Sequence, residues 1–89
     1  MKKAISIRVR GRVQGVGFRY FTRSKANEFA ISGFASNMSD GSVYIEAEGN
    51  KENLEAFLES CRKGPASSLV TQLDVVSIPV CNYNGFEIR

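Results

Sequence analysis

The order of hydrophobic periods along the chain is the strongest constraint on its fold. Residues 4–10 alternate between apolar and polar side chains, as a half-buried strand does. From Phe18 to about Ala30 the apolar side chains recur at spacings of three and four, which is typical of an amphipathic helix. Strand patterns return at 33–37 and 42–48, on either side of a turn-forming stretch. The first half of the chain therefore predicts the order strand, helix, strand, strand.

The second half predicts one more helix and further strand structure. Asn50 is a suitable N-cap, and Gly64-Pro65 is a suitable helix end. Residues 69–76 are rich in β-branched side chains, and residues 85–89 could add a short edge strand. The order β-α-β-β-α-β predicts an α+β fold of the ferredoxin-like type, an antiparallel sheet with two helices on one face and water on the other. Because 89 residues allow one core, we expect residues 1–89 to form a single domain.

The two cysteines are predicted to be unpaired. In the predicted topology Cys61 lies near the start of the strand 69–76 and Cys81 beyond its end, roughly 23 Å apart at 3.3 Å per residue. A disulfide needs Cα atoms within about 7 Å of each other. We therefore expect a core Cys61, a loop Cys81 and a reducing, cytoplasmic location. No apolar stretch approaches the roughly 20 residues of a membrane span, so no membrane partner is expected.

Positive charge is concentrated at the beginning of the chain. Residues 1–25 hold eight lysines and arginines and no acid, whereas the remaining residues hold four basic and all nine acidic side chains. This asymmetry favours an anionic partner, nucleic acid or a small phosphate or carboxylate, unless the two halves pair with each other within the fold. The absence of histidine excludes Ser-His-Asp and Cys-His catalysis and imidazole metal sites. We expect neither a metal nor another cofactor.

The stretch from Gly11 to Arg19, Gly-Arg-Val-Gln-Gly-Val-Gly-Phe-Arg, carries the clearest chemical signal. It leads from a predicted strand into a predicted helix, where free backbone N–H groups and the helix dipole favour an anion. Gly15 and Gly17 permit positive φ, so consecutive amides can curl into an anion-binding nest. The stretch lacks both the Walker Gly-Lys-Ser/Thr and the third glycine of a dinucleotide motif, where Tyr20 stands. It predicts a site for a compact phosphate, and a plain strand–helix turn is the alternative.

Arg19 and Asn37 are the side chains expected beside this loop. Arg19 falls in the first helical turn, where a cation opposes the helix dipole unless an anion compensates. The alternative, of equal weight, is a solvated surface arginine. Asn37 ends the second strand, at the pole where the first strand also ends, so its amide can reach water and ligand together. The alternative is an asparagine that merely begins the turn, and Asp40 is expected to form that turn rather than to act as a base.

Together these residues resemble the acylphosphatase family. The resemblance rests on the loop 11–19, on Asn37 with Asp40-Gly41, and on Gly64-Pro65 and the closing residues 85–89, so that it covers nearly the whole chain. It implies hydrolysis of the carboxyl–phosphate bond of small acyl phosphates, such as acetyl, carbamoyl or aspartyl phosphate, without metal, cofactor or covalent intermediate. Inorganic phosphate or sulfate is then expected as a product-like ligand.

The resemblance also implies which residues form the site. Arg19 binds the phosphate and Asn37 orients the attacking water, so that these two are the expected catalytic residues. The phosphate-binding residues are expected to be Gln14, Gly15, Val16, Gly17, Phe18 and Arg19. The family fold also occurs as a domain of larger carbamoyl-transfer proteins, whereas 89 residues alone favour a free, monomeric enzyme.

Two positions depart from the family pattern. The family usually has an aromatic residue, a valine and a basic residue before the asparagine, whereas residues 34–36 are Phe-Ala-Ser. The missing charge is expected to weaken attraction of the substrate without changing the chemistry. Ala30 stands where the family often has glycine at the end of the first helix. If that position needs positive φ, alanine costs on the order of 1 kcal/mol of stability.

Two other functions are compatible with this element order. An RNA-binding module would use aromatic side chains on the central strands, but those strands offer one tyrosine between acids. We expect instead that Arg8 and Arg10 pair across strands with Glu46 and Glu48, so no nucleic-acid partner is predicted. A regulatory module that binds a metabolite without turnover is the other alternative, and the presence of both Arg19 and Asn37 argues against it.

Overall fold

A computed structural model describes residues 1–89 as five strands and two helices. The predicted order is confirmed, and a short fifth strand follows it. β1 is longer than predicted by two residues at each end, because its pairing with two neighbours extends beyond the alternating stretch. The elements are β1 (Lys2–Arg12), α1 (Phe18–Glu28), β2 (Ser32–Asn37), β3 (Val43–Asn50), α2 (Lys51–Lys63), β4 (Leu69–Ile78) and β5 (Phe86–Ile88).

The five strands form one sheet in the order β4-β1-β3-β2-β5. The β1–β3, β1–β4 and β2–β3 pairs are antiparallel, as expected, but β5 pairs with β2 in parallel, so the sheet is mixed. The reason is that the chain crosses from β4 at one edge to the opposite edge and enters β5 in the direction of β2. Because β1 and β2 both run antiparallel to β3, they end at the same pole of the sheet, where the predicted site lies.

Both helices pack on one face of this sheet and bury a single core. α1 contributes Phe18 and Ala26, and α2 contributes Leu54, Phe57 and Cys61. The expected core position of Cys61 is confirmed, and its burial raises the pKa of the thiol to about 12. The second cysteine is exposed in the connection after β4, as predicted. Neither helix has the length and the apolar character that crossing a membrane requires.

The two helices end differently. At the end of α1 the backbone of Ala30 is left-handed, with φ of 55°, and the Ile31 amide donates to the carbonyl of Ala26 at 2.8 Å. This is the Schellman arrangement, in which glycine is usual at the left-handed position. The condition stated from the sequence, a positive φ at the position of Ala30, is therefore met. At the start of α2, the side chain of Asn50 accepts a hydrogen bond from the Asn53 amide at 2.8 Å, as predicted for an N-cap.

The predicted pairing of Arg8 and Arg10 with Glu46 and Glu48 is wrong. In the antiparallel register of β1 and β3, Arg8 lies opposite Tyr44, near the beginning of β3. Glu46 lies opposite Ser6, and Glu48 lies opposite Ala4. The register thus leaves neither glutamate directly across from an arginine.

The open face of the sheet is not wet throughout, contrary to expectation. Glu48 is only 1% exposed, because the chain between β4 and β5 passes over it. Its carboxylate accepts hydrogen bonds from three consecutive backbone amides, those of Cys81, of Asn82 at 3.1 Å and of Tyr83 at 2.8 Å. A strand position that alternation assigns to solvent therefore anchors a loop.

Candidate active site

The last residues of β1 direct the chain toward the candidate site. The register with β4 shifts between Arg10 and Gly11, which is the mark of a β-bulge. Gly11 has φ of 122°, and a Cβ atom there would lie 2.1 Å from the carbonyl oxygen of Leu69. Only glycine fits this bend. The chain then leaves the sheet and enters the loop that precedes α1.

Two left-handed glycines shape this loop. Gly15 and Gly17 have φ of 74° and 76°, and Gly17 is the N-cap of α1 without any side-chain capping bond. Among the well-formed backbone hydrogen bonds outside helices and strands, none has an amide of residues 14–17 as its donor. The first amides of α1 lack intrahelical acceptors as well. The loop and the helix start therefore present N–H groups and the positive end of the helix dipole, which suit an anion.

A cavity of about 220 Å³ opens at this point. It joins the loop to the end of β2, because β1 and β2 end at the same pole. Asn37 lies two residues beyond the buried Ala35 on β2, so the pleat places both residues on the same face of the strand. Five of the predicted site residues line this cavity, namely Gly15, Gly17, Phe18, Arg19 and Asn37.

Arg19 is the second residue of α1, and no acid accompanies it in the first turn. Its guanidinium Nη1 donates to the main-chain oxygen of Arg89 at 3.0 Å. Arg89 is itself held beside β2, because its amide donates to the carbonyl of Ala35 at 2.8 Å. A guanidinium carries five N–H donors in a planar fork, so this one contact orients Arg19 and leaves other donors for a ligand.

Gln14 contributes more than its backbone. Its side-chain nitrogen donates to two carbonyl oxygens of the β2–β3 turn, Met38 at 2.7 Å and Ser42 at 2.9 Å. These bonds tie the loop before α1 to the turn that follows Asn37. The sequence reasoning assigned Gln14 only a backbone role, since a contact between two distant loops leaves no local pattern. Val16, the other predicted residue outside the cavity lining, packs against the hydrophobic core.

Asp40 shapes the β2–β3 turn, as predicted. Its carboxylate accepts hydrogen bonds from the Ser42 amide at 2.9 Å and the Ser42 hydroxyl at 2.5 Å. These two bonds, together with the positive charges of Arg8 and Arg10, lower the pKa of the Asp40 carboxyl to about 2. The group is therefore ionised at neutral pH and too weak a base to remove a proton from water.

The same turn attracts the two arginines that sequence reasoning paired elsewhere. Arg8 lies 3.3 Å from the Asp40 carboxylate, and Arg10 lies 3.5 Å from it. Arg10 also donates to Asp74 on β4 at 3.0 Å, which raises the pKa of the guanidinium. Arg8 and Arg10 are thus paired with nearby carboxylates, whereas Arg19 has no carboxylate side chain within ion-pair distance.

Sequence reasoning missed two residues that line the cavity. Val13 is buried, and Tyr20 is exposed at the cavity beside Arg19. A signal for Tyr20 exists in the sequence, because it lies off the inner face of α1 that Phe18, Thr22 and Ala26 form. As for metal ligands, the structure contains no group of three or more cysteine, aspartate and glutamate side chains placed to hold an ion.

Known proteins resemble this chain in sequence and in fold. The model of the acylphosphatase family matches residues 5–88. An acylphosphatase of Thermotoga maritima is 47% identical over 87 residues, which cover 98% of this chain and 97% of that protein. The crystal structure of an acylphosphatase from Bacillus subtilis superposes with a TM-score of 0.95 at 38% identity, covering 100% of this chain and 99% of the other. The crystal structure of a full-length HypF in a phosphate- and nucleotide-bound form superposes with a TM-score of 0.94 at 33% identity. The match covers 100% of this chain and 12% of HypF.

Proposed function

Because this chain belongs to the acylphosphatase family and is an acylphosphatase, we propose that it cleaves small acyl phosphates to carboxylate and inorganic phosphate in the cavity between α1 and β2. The observation that carries the proposal is the convergence of Arg19, Asn37 and two left-handed glycines on one cavity at a helix start. Each supplies something that a phosphoryl transfer needs: charge, a water-orienting group, and backbone donors.

In the proposed mechanism the loop before α1 holds the phosphate. The Arg19 fork binds phosphate oxygens while its contact with the Arg89 main-chain oxygen keeps it aimed. Each hydrogen bond to a charged group contributes about 1.5–3 kcal/mol, and these donors also meet the charge of the transition state. The backbone amides that bind the phosphate are those of Gln14, Gly15, Val16, Gly17, Phe18 and Arg19.

Asn37 orients the water in the proposed step. The water oxygen attacks phosphorus, the bond from phosphorus to the bridging oxygen breaks, and the carboxylate departs with that electron pair. The proton of the water passes to a phosphate oxygen of the substrate, since the chain has no histidine and Asp40 is too weak a base. Positioning and charge stabilisation then carry the catalysis, without a metal or a cofactor. An enhancement of about 10⁶ requires roughly 8 kcal/mol, which several such donors and an oriented water can supply.

We also propose that the chain acts as one domain, residues 1–89, and as a monomer in the cytoplasm. A single chain supplies every residue of the cavity, so a complete site needs no second copy. One cluster of 14 buried residues joins both helices to the sheet. Two free thiols, one buried and one exposed, suit the reducing cytoplasm.

The test compares hydrolysis of benzoyl phosphate, with EDTA present, by the wild type and two variants. For Arg19→Gln we expect kcat/KM to fall by at least about 100-fold and binding of inorganic phosphate to be lost, because about 3 kcal/mol of charge-assisted bonding disappears. For Asn37→Ala we expect a loss of kcat of similar size with phosphate binding retained. Phosphate binding is measured by isothermal titration calorimetry.

Matched controls are available on exposed helical surfaces. Arg62→Gln on α2 and Asn27→Ala on α1 repeat the same chemical changes away from the cavity, and both are expected to retain wild-type kinetics. Unchanged turnover in Asn37→Ala would remove the water-orienting role. A wild type that folds and binds phosphate without turnover would leave the metabolite-binding module as the function.

A further inference from the structure

Tyr20 is an exposed aromatic side chain at the mouth of the cavity. Its side chain is 61% exposed, in contrast to Val13 and Phe18, which line the same cavity but are each only 1% exposed. The other large apolar residues that the fold leaves exposed are Met1 and side chains on or just after β4, and none of them lines this cavity. A molecule held at Arg19 therefore meets one accessible aromatic ring.

The ring has a fixed neighbour on its own helix. The guanidinium carbon of Arg23 lies 5.4 Å from the centroid of the Tyr20 ring, at the i,i+3 spacing of adjacent helical side chains. A cation over an aromatic face is attracted by the ring quadrupole. This contact restrains the ring on one side, and the exposed fraction of Tyr20 leaves area for a second planar group.

The chemistry of the Tyr20 side chain decides which part of a substrate it can meet in the cavity. It follows Arg19 directly, and both residues line the cavity together with Asn37. The arginine and the loop amides are complementary to an anion, whereas an aromatic ring offers nothing to a phosphate oxygen. An apolar or aromatic group attached to that phosphate is the complementary ligand for the ring.

We propose that Tyr20 forms the acyl subsite and makes the chain favour aromatic acyl phosphates over aliphatic ones such as acetyl phosphate. This inference rests on the proposed function, because it takes the phosphate to lie at Arg19. The acyl group stacks on the tyrosine ring while the loop holds the phosphate, so the ring determines the substrate class and takes no part in the bond-breaking step.

The experiment measures kcat/KM for benzoyl phosphate and for acetyl phosphate in the wild type, Tyr20→Ala and Tyr20→Phe. The ratio of the two constants is expected to fall about tenfold in Tyr20→Ala, which corresponds to about 1.4 kcal/mol of lost acyl binding. The change should appear chiefly in KM for benzoyl phosphate. Tyr20→Phe keeps the ring and should keep the ratio within about twofold of the wild type. A ratio that stays constant in Tyr20→Ala would overturn the acyl subsite.

A binding measurement separates this inference from the proposed function. Benzoylphosphonate and acetylphosphonate cannot be hydrolysed, so calorimetry gives their affinity ratio without any turnover. A ratio that favours the benzoyl compound in the wild type and falls about tenfold in Tyr20→Ala supports the subsite, even in a chain that is inactive. Equal affinities for the two phosphonates in the wild type would overturn it, even in a chain that is active.

Discussion

At the scale of single residues, Asp40 links the fold to the pH of the solution. The ordinary pKa of its carboxyl is 3.8, and hydrogen bonds from Ser42 with the charges of Arg8 and Arg10 lower it to about 2 in the folded chain. A carboxyl with a depressed pKa stabilises the folded state at pH values above 3.8. That contribution decreases as the pH falls below 3.8 and is lost once the pH has passed through about 2.

We therefore predict a pH-dependent difference between the wild type and Asp40→Asn. The asparagine keeps an oxygen that can accept from Ser42 but has no charge for the arginines. The melting temperature of the variant should be below that of the wild type at pH 7, and the gap should close between pH 4 and pH 2. Thermal unfolding followed by circular dichroism across this range gives the answer. A gap that is the same at pH 7 and pH 2 would mean that charge at Asp40 does not stabilise the turn.

At the scale of elements, the C-terminal end of α1 holds a local strain that a single substitution relieves. The left-handed backbone of Ala30 costs about 1–2 kcal/mol of stability, a strain that glycine does not have. Glycine, however, increases the entropy of the unfolded chain, which costs about 0.4–1 kcal/mol. Ala30→Gly is therefore predicted to raise the free energy of unfolding by roughly 0.5–1 kcal/mol and the melting temperature by a few degrees. Urea unfolding gives the free energy.

The same substitution inside a helix supplies the control. Ala56 lies in the middle of α2, where glycine has no strain to relieve and costs about 1 kcal/mol relative to alanine. Ala56→Gly should therefore lower stability while Ala30→Gly raises it. If both variants are destabilised, the left-handed backbone of Ala30 costs less than the unfolded-state entropy that glycine adds.

The elements also mark where sequence reasoning succeeds. The ends of α2 were predictable from Asn50 and Gly64, because caps depend on neighbouring residues alone. The cavity was predictable in its main parts, because Asn37 ends β2, the loop before Arg19 leaves β1, and these two strands end at one pole. The partners of Arg8 were not, since they depend on the register between β1 and β3 and on the position of the β2–β3 turn.

At the scale of the whole molecule, Glu48 connects parts of the chain that no local pattern relates. It is a β3 residue that lies under the connection between β4 and β5. Glu46, two residues before it, accepts hydrogen bonds from the hydroxyls of Tyr44 and Tyr83 at 2.6 Å each. Burial, followed by the contact with Glu46, raises the pKa of Tyr44, and the hydrogen bond to Glu46 raises the pKa of Tyr83. Strand alternation assigns Glu48 to water, and only the path of the chain more than 30 residues later buries it.

The last prediction follows from this buried carboxylate. Glu48→Ala removes the hydrogen-bond acceptor of three backbone amides at once. A buried N–H group left without a partner costs about 1–3 kcal/mol of stability when water cannot replace that partner. We expect the free energy of unfolding to fall by about 3 kcal/mol and the amides of residues 81–83 to lose protection from hydrogen exchange. Glu48→Gln keeps one acceptor oxygen, so its loss should be about 1 kcal/mol.

The matched control is Glu55→Ala on the exposed side of α2, which should change stability by no more than about 0.5 kcal/mol. Urea unfolding of the three variants ranks them, and hydrogen exchange locates the effect. If Glu48→Ala has the same free energy of unfolding as Glu55→Ala, water replaces the carboxylate and the three amide hydrogen bonds to Glu48 add nothing to stability. If the predicted ranking holds, one β3 side chain orders the path into β5, and β5 leads directly to the Arg89 oxygen that aims Arg19 into the cavity.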